Sequence, residues 1–424
     1  MPSSRLSEFY KKSQAERIAV LKDFAGLSDS DAALFEKNLD FETADRMVEN
    51  CVGVFGLPFG VAANFKINGK DYLIPFVVEE PSVIAAASNA AKLCRDSGGF
   101  QASADEPVMI GQVQLVGVKD FDSAKRGIEK NKAKLLQLAN AQDPTLVKFG
   151  GGAKDLETRV VESSRGNFLV VLLSVDVRDA MGANAVNTMC EAIAPALEEL
   201  AGGKVRLRIL TNLAVKRLVR AKAVWTRKAL EESTKGELKG EALVEGVLDA
   251  WAFAAGDAYR AATNNKGIMN GIDAVAIACG QDWRALEAGA HAFASLNGRY
   301  SPLAKFSKNA NGDLVGEIEL PLAVGLVGGA AKTHPLAQLS LKMLGVKSAQ
   351  ELAMIIACVG LANNFAALRV LATEGVQRGH MKLHAKNVAV MAGAKGGQIE
   401  AIAEKMISEK NVRFARAQEL LKES

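Results

Sequence analysis

Four polar side chains in this sequence are of types that carry out acid–base chemistry, and each stands beside a glycine break or at the start of a predicted helix. They are Glu80, Lys266, Asp282 and His380. An ammonium or a carboxylate placed next to apolar helices is costly to bury unless it is paired with an opposite charge. The pattern therefore predicts that Lys266 and Asp282 are paired for chemistry, in an enzyme that acts on an anionic substrate.

The elements around Lys266 and Asp282 are predicted from the periodicity of the apolar residues. An Ala-rich helical pattern precedes Lys266, and the lysine itself falls in a polar break at 263–267. An apolar segment at 269–279 follows, and Asp282 then opens another helical pattern. The same residues also fit a plainer arrangement, with a solvent-exposed lysine and an aspartate that only caps its helix.

Glu80 falls at a predicted junction between a strand and a helix. The apolar, Gly-rich residues 51–65 are expected to form a strand, 68–69 a hairpin turn, and 72–78 the returning strand. A helix is predicted to begin at Pro81. Glu80 is therefore a candidate acid held at a helix N-terminus, although a carboxylate there could serve only to complement the helix dipole.

The stretch 107–213 has the periodicity of a separate domain. Its elements follow the order β-α-β-β-α-β, which is typical of a ferredoxin-like antiparallel sheet covered by two helices. We therefore predict an α+β fold in which a large, mostly helical domain (1–106 and 214–375) carries this small inserted domain. Residues 376–424 are predicted to form a mobile helical C-terminal flap, because glycines near its start would let it move.

A nucleotide site is indicated by the turn DAMGAN at 179–184, which follows an apolar strand and opens a helix. Gly182 would let a phosphate approach the free N–H groups of that helix. An ordinary strand-to-helix turn has a similar composition, so that alternative stays open. No GxGxxG or P-loop motif occurs. His380 and His384 are a weak zinc signal, and no metal site is predicted.

Composition disfavours several classes of protein. The net charge of +4 comes from 52 basic and 48 acidic residues, which is too balanced for a nucleic-acid-binding protein, and aromatic residues make up only 6%. No apolar run reaches the roughly 18 residues of a membrane span. The cysteines are scattered, which favours reduced thiols. We predict a soluble cytoplasmic protein that binds neither nucleic acid nor membrane.

Several motifs occur in one order along essentially the whole chain. They are EEPSVIAAAS at 79–88, DAMGAN at 179–184, YRAATNNKGIMNGID at 259–273, GQD at 280–282, VGLVGG at 324–329 and GHM at 379–381. Together they resemble the hydroxymethylglutaryl-CoA (HMG-CoA) reductase family, and their spacing resembles its class II, soluble bacterial branch. Each motif alone would be a weak signal, whereas the ordered set is specific.

The resemblance implies a four-electron reaction in which two hydrides convert HMG-CoA, through mevaldyl-CoA and mevaldehyde, to mevalonate and CoA. Lys266 would stabilise the oxyanion, and Glu80 would act as the acid or base at the aldehyde-level oxygen. Asp282 would tune both of them, and His380 would protonate the departing CoA thiolate.

The resemblance also implies binding residues and partners. Ser82, Arg260 and Asn270 would hold the HMG carboxylate and hydroxyl. The dinucleotide site would be formed by Asp143, Asp179, Ala180, Met181, Gly182 and Asn184. A carboxylate at Asp143 would accept from a ribose 2′-OH and repel a 2′-phosphate, so NADH is favoured and NADP(H) remains possible. Active sites would lie at the interface of a homodimer, which could build larger oligomers.

Two other functions remain compatible with the residues alone. A CoA-thioester hydrolase or lyase could use the same Glu, Lys and Asp without a nicotinamide. A non-catalytic protein could bind CoA or a nucleotide with the same loops. Intact polar residues at all four candidate catalytic positions argue against the second of these.

Overall fold

The computed structural model describes residues 3–37, 39–373 and 376–423, and of residues 376–383 it describes only the backbone. The strands are β1 (Phe59–Ile67), β2 (Lys70–Val77), β3 (Phe100–Ala104), β4 (Val108–Val116), β5 (Gly152–Val161), β6 (Phe168–Asp176), β7 (Lys204–Leu210), β8 (Leu218–Trp225), β9 (Ala304–Lys308) and β10 (Leu314–Pro321). The first helices are α1 (Gln14–Ala25), α2 (Asp29–Ala32), α3 (Phe41–Met47), α4 (Val83–Cys94), α5 (Phe121–Lys130), α6 (Lys132–Asn140), α7 (Pro144–Lys148), α8 (Ala183–Ala201) and α9 (Arg227–Ser233). The later helices are α10 (Gly240–Gly256), α11 (Ala258–Ala278), α12 (Trp283–Phe293), α13 (Ala330–Thr333), α14 (Pro335–Leu344), α15 (Ala349–Leu371), α16 (Val376–Met391), α17 (Gly397–Ser408) and α18 (Phe414–Glu423).

One sheet belongs to the larger part of the fold and has the strand order β2-β1-β3-β8-β10-β9. Its pairs are antiparallel except for β1 with β3. Helices α4, α11 and α15 pack together beside this sheet. Trp225 of β8 stacks on Phe365 of α15, with ring centroids 3.9 Å apart. Apolar side chains of this sheet and these helices form a continuous core, so α11 is held rigidly within it.

The second sheet has the order β5-β6-β4-β7, and all its pairs are antiparallel. Helices α5, α6 and α8 cover it and share a core with it that is distinct from the first. This order is that of a β-α-β-β-α-β unit, so the predicted α+β fold with a ferredoxin-like insertion is confirmed. The exact domain boundaries, at 106/107, 213/214 and 375/376, stay predictions.

Helix α15 is long and apolar enough to cross a membrane by length and composition. It instead forms the centre of the large core, because 67% of its most apolar window is buried inside the protein and it packs against α4, α11 and β8. Its apolar character is therefore that of a core helix, buried on nearly every side.

The C-terminal helices α16, α17 and α18 form a small cluster with a core of its own, centred on Ala389, Ala403 and Met406. This agrees with the predicted helical flap, while its mobility stays a prediction. The side chain of His380, which falls on α16, lies outside the described residues.

Two local predictions were wrong. The polar segment 263–267 is not a break but part of α11. Asn264 and Asn265 are buried there, and hydrogen bonds satisfy them, so polar residues lie on the inner face of a helix where the sequence suggested a loop. The predicted strand 51–65 begins only at Phe59. The preceding residues are largely exposed and include Gly53 and Gly56, which disfavour a strand.

Candidate active site and nucleotide cleft

Lys266 and Glu80 form an ion pair, with Lys266 Nζ donating to Glu80 Oε2 at 2.8 Å. Lys266 projects from the middle of α11, and Glu80 follows β2 just before α4 begins. In the single chain the two side chains are 60% and 36% exposed. The structure therefore brings together two of the four predicted catalytic side chains, at a place that a ligand can reach.

The junction that carries Glu80 is held by an unusual backbone conformation. Ser82, two residues on, is the N-cap of α4, and its φ of 77° lies in the left-handed region. A residue other than glycine is uncommon there and adds strain, and such residues cluster at functional sites. The Ser82 side chain makes no capping hydrogen bond, so its hydroxyl is available to a ligand.

A stripe along α11 connects the ion pair to other predicted residues. Positions 266, 270, 273 and 277 are spaced so that they share one helix face. Asn270 is therefore one turn from Lys266, and Ile277 lies about 16 Å further along the helix axis than the lysine.

Arg260, the predicted ligand of the HMG carboxylate, lies in the first turn of α11. Asp257 caps this helix, and its side chain accepts from the Arg260 backbone N–H. Burial lowers the pKa of Arg260.

A cleft of about 940 Å³ lies between the small sheet's helices and the large core. It is lined by five of the six predicted cofactor residues together with Asp282: Asp143, Ala180, Met181, Gly182, Asn184 and Asp282. Val77, at the end of β2, and Ile277, on the α11 stripe, also line it. The cleft therefore reaches toward the two elements that carry Glu80 and Lys266.

The predicted cofactor turn has the geometry expected of an anion site. Gly182, with φ 105°, is the N-cap of the 19-residue helix α8, and a Cβ there would lie 2.6 Å from Val177 Cγ1. Only glycine fits. Asp179 does not line the cleft with the others, because its Oδ1 accepts from the Ala349 N–H at 2.8 Å and caps the start of α15 instead.

Asp282 begins α12 as predicted, and its Oδ1 accepts from the Ala285 N–H at 3.1 Å. The same oxygen lies 3.3 Å from Arg284 Nη2. Within the described part of the chain, no hydrogen bond or ion pair joins Asp282 to Lys266 or Glu80. The structure thus places Asp282 in the cleft, separate from the ion pair with which the sequence grouped it.

Sequence reasoning missed a network of polar side chains that begins at Asp273 on the α11 stripe. Asp273 is hydrogen-bonded to Glu287 of α12, and burial together with that neighbour raises the pKa of Asp273 to about 8. Glu287 Oε2 lies 2.5 Å from His291 Nε2, whose Nδ1 lies 2.7 Å from the Tyr300 hydroxyl. The i,i+4 spacing of Glu287 and His291 was the only sequence signal, and it does not reveal the partner on α11.

His334 is a second residue that the sequence did not single out. It lines the cleft, and its Nδ1 is buried without a hydrogen-bond partner in the described structure. Burial lowers the pKa of His334. Among the described residues, no group of three or more His, Cys, Asp or Glu side chains is placed to hold a metal ion.

Comparison with known proteins connects this site to one family. The family model for hydroxymethylglutaryl-coenzyme A reductase matches residues 13–385. The 3-hydroxy-3-methylglutaryl-coenzyme A reductase of Archaeoglobus fulgidus is 53% identical over 420 residues, which cover 99% of this chain and 94% of that protein.

Solved structures agree with the sequence comparison. The class II enzyme of Streptococcus pneumoniae bound to NADPH in open conformations superposes with a TM-score of 0.82 at 45% identity, covering 97% of this chain and 99% of that one. Another structure of the reductase from this organism gives a TM-score of 0.84 at 44% identity, covering 98% of both chains.

Fold, cleft and comparisons define an α+β oxidoreductase of the NAD(P)-dependent class. The chain belongs to the hydroxymethylglutaryl-coenzyme A reductase family. The resemblance inferred from the ordered motifs, including the likeness to class II, is therefore confirmed. The preference for NADH and the roles of individual residues stay predictions.

Proposed function

We propose that this protein interconverts HMG-CoA with mevalonate and CoA, using two molecules of a nicotinamide dinucleotide. The observation that carries the proposal is the Lys266–Glu80 ion pair. It lies on α11 and just after β2, and Ile277 of α11 and Val77 of β2 also line a nucleotide-sized cleft. In the reductive direction, one HMG-CoA, two dinucleotides and two protons give mevalonate, CoA and two oxidised dinucleotides.

Lys266 is the group proposed to stabilise the thioester oxygen as it gains negative charge. Its ammonium is a compact point charge with three donors, one of which Glu80 occupies, so two remain for a substrate oxygen. Glu80 is proposed to exchange a proton with the oxygen at the aldehyde level. The 2.8 Å contact supports a direct proton path between these two groups.

Asp282 and His380 are the other two proposed catalytic residues, and neither is proposed to belong to the Lys266–Glu80 ion pair. Asp282 carries its charge at the start of α12, within the cleft, and would tune Lys266 and Glu80 by its field rather than by a hydrogen bond. His380, on α16, is proposed to protonate the CoA thiolate as it leaves, because a free thiol has a pKa of about 8.5 and the thiolate needs a proton at neutral pH.

The acyl part of the substrate is proposed to bind along α11 and the start of α4. Arg260 would hold the HMG carboxylate, and Asn270, one turn beyond Lys266, would bind a hydroxyl or carbonyl oxygen. The uncommitted hydroxyl of Ser82 lies two residues from Glu80 and would bind the same end of the substrate.

The cleft residues fit a dinucleotide. Gly182 packs so tightly on Val177 that no side chain fits there, and this keeps the start of α8 at the wall of the cleft. The free N–H groups of the first turn of α8 would donate to a phosphate bound there. When bound, the nicotinamide supplies the hydride. We propose that Asp179 supports the turn through α15 and that Asp143, whose side chain caps α7 at the edge of the cleft, favours NADH over NADPH.

A homodimer with shared active sites is part of the proposal. Lys266 is too exposed in one chain to act in a dry site, and electrostatic stabilisation is strongest where water is excluded. Tyr259, near the start of α11, and Phe253, near the end of α10, are 89% and 60% exposed, as expected of aromatic residues that a partner covers. The cytoplasm is the proposed location, because the cysteines within the described residues are free.

The proposed reaction is tested by measuring how many dinucleotides are oxidised for each CoA released and each mevalonate formed. Purified protein is mixed with HMG-CoA and an excess of NADH or NADPH, and dinucleotide oxidised, CoA released and mevalonate formed are counted. Two dinucleotides per CoA and per mevalonate are expected. CoA release without dinucleotide oxidation would instead identify a thioester hydrolase or lyase, and binding without turnover would identify a non-catalytic CoA- or nucleotide-binding protein.

A further inference from the structure

Arg217 is a buried cation that touches the nucleotide turn from behind. It lies between β7 and β8, where the chain returns from the small sheet to the large one, and is 4% exposed. Its Nη1 donates to the carbonyl oxygens of Ala180 and Met181 at 3.2 and 3.3 Å. Its Nη2 donates to the carbonyl oxygen of Val324 at 2.5 Å. One guanidinium thus joins two separate segments of backbone, the turn at 180–181 and Val324.

The direction of these carbonyls determines where the neighbouring N–H groups point. In a trans peptide the C=O and the following N–H are antiparallel. Because the Met181 carbonyl is directed at Arg217, the Gly182 N–H is directed away from it. Gly182 lines the cleft and is the N-cap of α8, so this N–H adds to the free donors of the first turn of the helix.

The segment on the other side of Arg217 leads to Asp282. Next to Val324, Gly325 exchanges two hydrogen bonds with the Gln281 side chain, at 2.7 and 2.9 Å. Gly325 also lies so close to the turn that a Cβ there would be 2.4 Å from the Met181 nitrogen. The nucleotide turn, Arg217 and the residue before Asp282 are therefore parts of one packed unit.

The charge of Arg217 is held without a direct counter-ion. Among the described residues, no carboxylate lies within ion-pair distance of its guanidinium, and Asp176 and Asp179 act only at longer range. Burial lowers the pKa of Arg217 to about 10, which still leaves it charged near neutral pH. A buried cation bonded only to carbonyls is costly for stability, which points to a role beyond packing.

We propose that Arg217 is a positioning residue for the dinucleotide: it fixes the Ala180–Gly182 turn so that its N–H groups meet the ligand phosphates, and it sets the distance between that turn and the Gln281–Asp282 segment. This inference rests on the proposed function, because it takes the ligand of the cleft to be a nicotinamide dinucleotide. It concerns dinucleotide binding and not the acyl end of the substrate.

The experiment compares Arg217→Gln and Arg217→Lys with the wild-type enzyme. Calorimetry gives the Kd of NADH and of NADPH, and steady-state kinetics give the KM of the dinucleotide and of HMG-CoA separately. Arg220→Gln is the matched control, since Arg220 lies three residues away on β8 but is half exposed and bonded to Asp105 and Glu319. Thermal unfolding establishes that each variant is folded at the assay temperature.

Arg217→Gln is expected to raise the dinucleotide Kd and KM about tenfold or more, because two turn carbonyls lose a buried charged donor. The HMG-CoA KM should stay within about twofold, Arg220→Gln should match the wild type, and Arg217→Lys should recover part of the affinity. If Arg217→Gln does not fold, Arg217→Lys should still show a smaller loss confined to the dinucleotide.

An unchanged dinucleotide Kd in the folded variant, or an equal loss for both substrates, would overturn the inference. Failure of the proposed function looks different, since the wild-type protein itself would then oxidise no dinucleotide.

Discussion

Lys266 Nζ lies 2.8 Å from Glu80 Oε2, although the two residues are 186 positions apart in the chain. The core places them together, because α11 and α4 both pack on α15. An ion pair this exposed contributes little to stability. Its position at a strained strand-to-helix junction, on elements that also reach the nucleotide cleft, is instead explained by chemistry.

Replacing Asp282 separates its charge from its role as a helix cap. Asp282→Asn keeps the acceptor for the Ala285 N–H, so the free energy of unfolding should change by less than about 0.5 kcal/mol, whereas Asp282→Ala should lose about 1 kcal/mol. Both should lower kcat, by about 10²-fold, because the negative charge is lost. Denaturant titration and steady-state kinetics measure the two effects. If Asp282→Asn keeps wild-type kcat, the aspartate is only a cap.

The proposed role of His380 predicts a split between two substrates. His380→Gln should lower HMG-CoA reduction by about 10²-fold, since the thiolate loses its acid. Reduction of free mevaldehyde, which releases no thiol, should be unaffected. His384→Gln is the control, because His384 stands one helical turn further along α16 with an exposed side chain. An equal loss on both substrates would remove the thiolate role.

The preference for NADH is tested at Asp143. Asp143→Asn keeps the cap of α7, in which the side chain accepts from the Leu146 N–H at 2.8 Å, and removes the charge that would repel a 2′-phosphate. The ratio of kcat/KM for NADPH to that for NADH should rise about tenfold. Asp120→Asn, which changes the similar cap of α5, should leave the ratio unchanged. A wild-type enzyme that already prefers NADPH would contradict the role of Asp143.

The buried Asp273 predicts a pH dependence of stability. Burial and Glu287 raise its pKa from 3.8 to about 8 in the folded protein, so folding favours the protonated form. Its contribution is fully present below about pH 4 and is lost as the pH rises through about 8. Asp273→Asn should therefore lose less stability than the wild type between about pH 4 and about pH 8, as measured by urea midpoints. Parallel pH profiles of the two proteins would show that Asp273 does not titrate in this range.

Local patterns were enough to predict the small sheet and the helix start at Asp282. Alternation and turn residues determine strands directly, and Asp282 is a strong capping residue. The position of Lys266 on a helix was not predictable from the same rules. Asn264 and Asn265 look like loop residues in sequence, but on α11 their side chains bond to Asn364 and to the backbone near Ser301, which are distant in the chain.

The sequence predicted which residues belong to the candidate site, but it did not predict which of them contact one another. The ordered motifs indicated Glu80 and Lys266 as catalytic residues, but neither spacing nor periodicity could show that their side chains form an ion pair. The sequence grouped Asp282 with them, whereas its cap bond to Ala285 holds it in the cleft. Arg217 gave no signal at all, because its partners are backbone carbonyls and backbone groups leave no pattern in sequence.

The most direct test of the account is the turnover of Lys266→Met. The methionine keeps much of the side-chain volume and removes the cation, so kcat for HMG-CoA reduction should fall at least about 10²-fold while the Kd of the dinucleotide stays near that of the wild type. Lys308→Met is the control. Lys308 is an exposed lysine at the end of β9 that pairs with Glu245 of α10, and its replacement should keep full activity. Wild-type kcat in a folded Lys266→Met protein would contradict the claim that this ammonium stabilises the reacting oxygen.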